Sequence, residues 1–230
     1  MWSGKKRAVT FSFDDGVRQD VRVVEILNKY GLKGTFNLNS GTLGMGGETN
    51  WLPKVVSYAR VQAEEVRDVY AGHEVAVHTV NHPHLTKLTD DEIVREVEDD
   101  RAALSKLCGY EVIGLAYPCG DYDDRVVELL RTRTGVRYGR GVIGAKDFSL
   151  PKEQDLFSFD PTIYFIDEKF EEKVDEFLAL DTDEPQMLYI WGHAYELDAE
   201  LITWEKFEAI CKKLAGRSEI FYGTNKEVLL

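Results

Sequence analysis

A chain of 230 residues can bury a sizeable core in one domain without covalent staples, and at 43% hydrophobic and 30% charged it has the composition of a soluble globular protein. The 28 Lys plus Arg stand against 41 Asp plus Glu, a formal charge of -13, which disfavours non-specific nucleic-acid binding and anionic membrane surfaces. Three scattered cysteines, Cys108, Cys119 and Cys211, do not look like a disulfide framework. No apolar run approaches membrane-spanning length and no signal-peptide core precedes the first strand, so the expectation is a soluble, cytoplasmic chain, a removed leader aside.

The run from Val9 to Phe13 is β-branched and aromatic, and it reads as a buried strand that ends abruptly in Asp14, Asp15 and Gly16. Adjacent carboxylates repel, so this strand end calls for a counter-charge, either a metal ion or a shared proton. The plainer alternative is a solvated Asp-Gly turn. Val21, Val24, Ile26 and Leu27 place an amphipathic helix over 19–30, stopped by Gly31. A second strand covers 33–38. A glycine-rich loop follows over 41–50, then short helical stretches at 51–62 and 64–70, then a third strand at 74–78. Thr89 and Glu92 form a capping box, and Ile93, Val97, Leu104 and Leu107 carry that helix to Gly109. A fourth strand at 111–117 and a helix at 123–133 follow, then strands at 136–141 and 156–159. Phe170, Val174, Phe177 and Leu178 share one face of a helix over 168–180. A strand at 186–191, a helix at 203–214 and a strand at 219–222 close the chain. Strand and helix alternate about seven times, which predicts an α/β fold of parallel strands with helical crossovers. An open doubly wound sheet is the alternative to a barrel, but no Gly-rich phosphate fingerprint follows the first strand. No linker or repeat divides residues 1–230, which are read as a single domain, and nothing in the pattern sets an oligomeric state.

The polar chemistry falls at strand ends. Asp14 and Asp15 follow the first strand, Asn39 the second, His78 and His82 the third, and Tyr117, Pro118 and Cys119 the fourth. Arg140 follows the fifth, Asp160 the sixth and His193 the seventh. In a parallel barrel all of these share the C-terminal rim, where active sites are built. His78 and His82 are four residues apart, a spacing that on a helical turn suits chelation of one ion. With one carboxylate they make a three-ligand site that leaves positions open for water and substrate, against the alternative of two unrelated surface histidines. His73 and His84 pair with no strand end and are read as structural or solvated. Tyr117, Trp191 and Trp51 are candidates for an aromatic wall against a sugar, with Trp191 ahead of Trp51 for its place beside His193 and core packing the alternative for each.

Four segments carry a resemblance: Thr10-Phe11-Ser12-Phe13-Asp14-Asp15-Gly16, His78-Thr79-Val80-Asn81-His82-Pro83, Tyr117-Pro118 and Leu188-Tyr189-Ile190-Trp191-Gly192-His193. Together, and in this order, they resemble the motifs of the polysaccharide deacetylase family, also called the NodB homology domain or carbohydrate esterase family 4. The resemblance implies a distorted (β/α) barrel of about seven parallel strands. It implies a metal-dependent hydrolase that removes N-acetyl groups from an N-acetylated amino sugar or oligosaccharide, with a carbohydrate or other N-acylated small molecule as partner. Asp15, His78 and His82 would hold a divalent ion, zinc or else cobalt or nickel. Asp14 would be the base, His193 the acid, and the Cys119 N–H, positioned by Pro118, the oxyanion donor. Substrate contacts are expected from Tyr117, Pro118, Trp191, Asn39 and Arg140.

The chain departs from the family pattern at Ala116, where many members carry the arginine that orients the base. Arg140 either substitutes for it or is a surface arginine. Cys119 stands where an aromatic is usual, as a small buried hydrophobe or a reactive thiol. Glu196 orients His193, touches substrate or is simply solvated. The competing activities are hydrolysis of another amide or an O-acetyl ester, thiol hydrolysis through Cys119, and non-catalytic carbohydrate binding.

Overall fold

The computed structural model describes residues 2–145 and 147–230. In chain order, short single turns aside, the elements are β1 (Arg7–Asp14), α1 (Asp20–Lys29), β2 (Gly34–Leu38), α2 (Val66–Val69), β3 (Glu74–Val77), α3 (Asp90–Cys108), β4 (Gly114–Ala116), α4 (Asp124–Arg133), β5 (Tyr138–Arg140), β6 (Ile163–Tyr164), α5 (Phe170–Leu178), β7 (Gln186–Gly192), α6 (Tyr195–Asp198), α7 (Trp204–Leu214), β8 (Ile220–Tyr222) and α8 (Asn225–Leu229). Seven strands pair in the order β5-β4-β3-β2-β1-β7-β6, and β8 joins the start of β1. Every ladder is parallel. The seven curl into a distorted barrel, as the crossover pattern predicts. Between its two edge strands, β5 and β6, the seam is bridged at Arg140 and Phe159.

β1 is the centre of the sheet because it is buried from Ala8 to Asp14 and pairs on both sides. Its period-two alternation sorts two kinds of side chain onto two faces. Phe11 and Phe13 face the helices and pack with Phe36, Phe165 and Phe207 at ring separations of 5.5 to 6.3 Å. Thr10, Ser12 and Asp14 face the barrel interior, which is polar. There Asn225 of α8 closes the bottom, accepting from the Thr10 hydroxyl at 2.8 Å and donating to Ser12 Oγ at 3.2 Å. Asp14 sits at the top of the same column. Local signals fix the helices as read. The Thr89–Glu92 capping box starts α3, which ends on a left-handed Gly109. Asp123 and Thr203 accept from the first-turn N–H groups of α4 and α7.

Several elements differ from expectation, and α6 and α8 are helices that the sequence pattern does not predict. Residues 51–62 form no helix. Pro53 and the β-branched Val55-Val56 pair weaken one, and antiparallel bridges Glu48↔Ser57 and Val17↔Arg60 hold the segment extended. The sixth strand is Ile163–Tyr164 rather than 156–159. Phe157 and Phe159 are buried as core residues, and Pro161, which has no N–H to give a ladder, separates that run from β6. No helix among the described residues is long and apolar enough to cross a membrane.

Gly192 ends β7 with no room above its Cα. A Cβ there would meet the Phe165 ring at 2.2 Å. Gly192→Ala is therefore expected to lower stability by about 1–3 kcal/mol through overpacking, read as a lower urea midpoint.

Candidate active site

The site begins where β1 turns away from the sheet. Asp15 has φ 84° and Gly16 φ 64°, and the turn is clamped by the Asp15 N–H on the Asn37 carbonyl at 2.9 Å and by the Arg60 guanidinium on the Asp15 carbonyl. This aims Asp14 down the barrel and Asp15 across the rim. Asp15 Oδ1 lies 3.7 Å from His78 Nε2 and 3.8 Å from His82 Nε2. The two histidines do not sit on a helical turn. His78 follows β3 directly, and Thr79 (φ 65°) and His82 (φ 57°) fold the loop back so that the imidazole centroids stand 4.7 Å apart.

His78 Nδ1 donates to the Ala116 carbonyl at 2.7 Å, which fixes the tautomer and leaves a bare Nε2 facing Asp15. Burial lowers the His78 pKa to about 4, against the opposing pull of Asp14 and Asp15, so the ring is neutral at pH 7. Burial acts to raise the Asp15 pKa, but His193 and Arg60 outweigh it and hold it at about 2. Neutral His78 adds nothing to that charge at pH 7. Asp15 Oδ2 accepts from the Tyr58 hydroxyl at 2.7 Å, while its buried Oδ1 has no hydrogen-bond partner. An orphaned carboxylate oxygen facing two imidazole nitrogens fits a divalent cation. Ligand atoms about 2 Å from a tetrahedral zinc stand roughly 3.4 Å apart, close to the separations seen here. All three ligand atoms fall within 4.8 Å of one another.

Asp14 is held from two sides. Asn37 Nδ2 donates to its Oδ1 at 2.7 Å, and the Arg140 guanidinium pairs with the same oxygen. Arg140 is fully buried at 0% exposure, so it is no surface arginine; it reaches Asp14 from β5. At the end of β7, His193 is gripped by Glu196. The His193 N–H donates to Glu196 Oε2 at 2.9 Å, and Nδ1 lies 3.3 Å from Oε1. The Tyr164 hydroxyl donates to the same Oε1 and lies 3.3 Å from Nδ1. Burial works against a charge on His193, but Glu196, with Asp15 and Asp14, raises its pKa to about 9. The ring is an imidazolium at pH 7.

A cleft of ≈ 320 Å³ joins these groups. Its lining includes Asp14, Asp15, His78, His82, His193, Tyr117, Cys119, Trp191 and Trp51. Other expectations need correction. Asn39 is buried, and its amide donates to the carbonyls of His78 and Thr79, so it shapes the histidine loop instead of meeting substrate. Arg140 likewise lies beneath the cleft. Pro118 is buried under the turn in which Cys119 takes φ 58°. Trp191 is 7% exposed, with Tyr164 stacked on it at 4.2 Å and the Arg140 guanidinium 4.9 Å from its centroid, so little of it is free for a sugar. Glu196 is buried, not solvated. Cys119 is exposed and is no buried hydrophobe; burial on its inner side and the acids Asp121 and Asp15 raise its thiol pKa, the wrong direction for a nucleophilic thiolate.

Tyr58, Arg60, Tyr195, Tyr164 and Asn37 escaped the sequence reading. Tyr58 and Arg60 lie two apart, so an extended reading of 51–62 would have put both on one side, facing Asp15.

The family model for polysaccharide deacetylases matches residues 3–139. Chitin deacetylase 3 of Cryptococcus neoformans is 28% identical over 148 residues, 64% of this chain and 33% of that protein. A peptidoglycan-N-acetylglucosamine deacetylase of Bacillus cereus is 27% identical over 118 residues, 50% of this chain and 38% of that one. The chain thus spans little more than a third of the length of these relatives. The family 4 carbohydrate esterase of Streptomyces lividans shares the fold, with a TM-score of 0.58 over 95% of this chain and 93% of that one at 18% identity. Because the matched segment is over half of the chain and carries Asp14, Asp15, His78 and His82, the protein belongs to the polysaccharide deacetylase family.

Proposed function

We propose that the protein is a metal-dependent hydrolase that removes N-acetyl groups from an N-acetylated amino sugar or its oligomers. The observation that carries this reading is the pairing, in one cleft, of an orphaned three-ligand site with a carboxylate base and an imidazolium acid, each held by its own partner. Two relatives named for deacetylating chitin and peptidoglycan N-acetylglucosamine support the substrate class.

A divalent ion held by Asp15, His78 and His82 would supply a Lewis acid for the acetyl carbonyl and lower the pKa of water. Asp14 takes the proton of the attacking water. Asn37 and Arg140 both hold Oδ1, which leaves Oδ2 for that transfer. The Cys119 N–H donates to the oxygen that becomes the oxyanion. As the C–N bond breaks, His193 gives its proton to the leaving nitrogen. An amine is a poor leaving group without that proton, and Glu196 keeps the proton in place at neutral pH.

The sign of the pH dependence follows. His193 is charged below about 9 and loses its proton above it. The pairing contributes stability that is full below about 6.5 and is lost as pH rises through about 9. Glu196→Gln removes the largest raising charge and leaves burial opposed only by Asp15 and Asp14, so the alkaline limb of kcat/KM should move to lower pH by about one unit or more. An unmoved limb would separate Glu196 from the acid.

The reaction is tested by acetate release from N-acetylglucosamine oligomers and from O-acetylated sugars. Release from the amides supports the proposal. Release from the esters alone makes the protein an esterase, and release from neither, with metal bound, refutes hydrolysis of acetylated sugars.

A further inference from the structure

The loop that carries His78 and His82 has a shape it would not keep alone. Thr79 and His82 both take left-handed backbone, at φ 65° and 57°, and for a β-branched threonine that is an outlier. The loop is splinted by α3. The His78 N–H is shared between the Leu38 carbonyl at 2.9 Å and Asp100 Oδ2 at 3.1 Å. The Val80 N–H donates to the Glu96 carbonyl at 3.1 Å. Asn81 gives its N–H to Glu96 Oε2 at 2.9 Å and its side-chain amide to Oε1 at 2.7 Å. Asp100 Oδ1 accepts from the Ser40 N–H at 2.7 Å, so one carboxylate joins the loop after β2 to the loop after β3. Glu96 and Asp100 are four residues apart and therefore share one face of α3.

The packing of α3 does not call for a carboxylate at 100. Asp100 is fully buried, and its contacts are backbone N–H groups of the two rim loops, with no Lys, Arg or His paired to it among the described residues. A buried carboxylate without a counter-charge is costly, and an apolar side chain would fill the same space at less cost. Such a breach of the rules of core packing is expected where it serves a site. Here it holds the backbone of the first histidine while Glu96, one turn away, holds the residue before the second. Together they fix the 4.7 Å separation of the two rings, on which chelation depends. A loose loop would have to be ordered by the ion, at a cost in affinity. Asp99, on the same helix, is exposed and touches neither loop, so α3 carries its own comparison of equal charge.

We infer that Glu96 and Asp100 are positioning residues for the metal centre: α3 holds the loop from His78 to His82 in its chelating form, so that affinity for a divalent ion is set from a helix that contributes no ligand. This rests on the proposed reading of Asp15, His78 and His82 as a metal site, but not on the reaction assigned to it.

The test is the Zn²⁺ affinity of the whole chain, measured by competition with a chromogenic chelator, on wild type, Glu96→Ala, Glu96→Gln, Asp100→Asn and Asp99→Asn. Glu96→Ala and Asp100→Asn should each weaken binding by about 10- to 100-fold. Glu96→Gln should stay within about threefold of wild type, because its amide oxygen accepts the Asn81 N–H and its NH2 group donates to an Asn81 amide turned over to meet it. Asp99→Asn removes the same charge without touching the loop, and with that charge screened by solvent it should also stay within about threefold. Losses in Asp99→Asn and Glu96→Gln as large as those in the other two would make the effect one of net charge and overturn the inference. Glu96→Ala and Asp100→Asn variants that bind as tightly as wild type would overturn it too. Glu96 is only half-buried, so Glu96→Ala decides the matter if Asp100→Asn fails to fold, a failure that the urea midpoint of the metal-free protein identifies. A wild type that binds no Zn²⁺ overturns both the inference and the metal site beneath it. A wild type that binds Zn²⁺ with the expected pattern across the variants, yet releases no acetate, supports the splint while refuting the deacetylase.

Discussion

Asp14→Asn is expected to lower kcat by about 100- to 10,000-fold while the protein still binds one divalent ion per chain. The substitution keeps the shape of the side chain and its contact with Arg140, but an amide cannot take a proton from water. Asp15, His78 and His82 are untouched, so metal stoichiometry, measured by emission spectroscopy after dialysis, should match wild type. A kcat within tenfold of wild type would remove Asp14 from the role of base.

Arg140→Met is the companion experiment and should be the most destabilising change in the site. Asp14 is 2% exposed and Arg140 0% exposed, and removing one member of such a pair strands the other charge in the barrel. The expected loss is about 3–5 kcal/mol, read from the denaturant midpoint. The double variant Asp14→Asn/Arg140→Met removes both charges and should recover part of that stability while recovering no activity. A single Arg140→Met variant as stable as wild type would mean that the pair is solvated in solution and that Asp14 is held by Asn37 alone.

The positions of Asp14, Asp15, His78, His82 and His193 were legible because one physical rule places them. Parallel strands bring all their C-terminal ends to one rim, so a polar residue just past an apolar run lands there whatever the loops do. Asn39 sits at the same kind of position and was misassigned. It lies at the rim, but its amide turns inward to the carbonyls of the histidine loop, a choice that strand position does not determine. Arg140 was placed at the rim correctly, yet its partner lies 126 residues away, and which interior acid it meets depends on how the barrel curls. The clearest loss was at 51–62. The sequence reading makes 51–62 a short helix, whereas pairing with 47–49 and 16–18 keeps the chain extended and delivers Trp51 and Tyr58 to the cleft and Arg60 to Asp15. Long-range pairing overrides local pattern most easily in a loop without its own core. Trp191, ranked ahead of Trp51 as a sugar wall, is the less exposed of the two for a related reason. A strand residue inside a barrel is covered by its neighbours, here Tyr164 and Arg140, while a loop residue at the rim is not.

The most direct test of the central claim is a titration. Metal-free protein is reloaded in steps with Zn²⁺ or Co²⁺, and acetate release from an N-acetylglucosamine oligomer is measured against bound metal at each step. The rate should rise in proportion to occupancy and level off at one ion per chain, and His82→Ala should neither bind the ion nor gain rate. Full acetate release by the metal-free protein would contradict the reading of Asp15, His78 and His82 as the centre of the site.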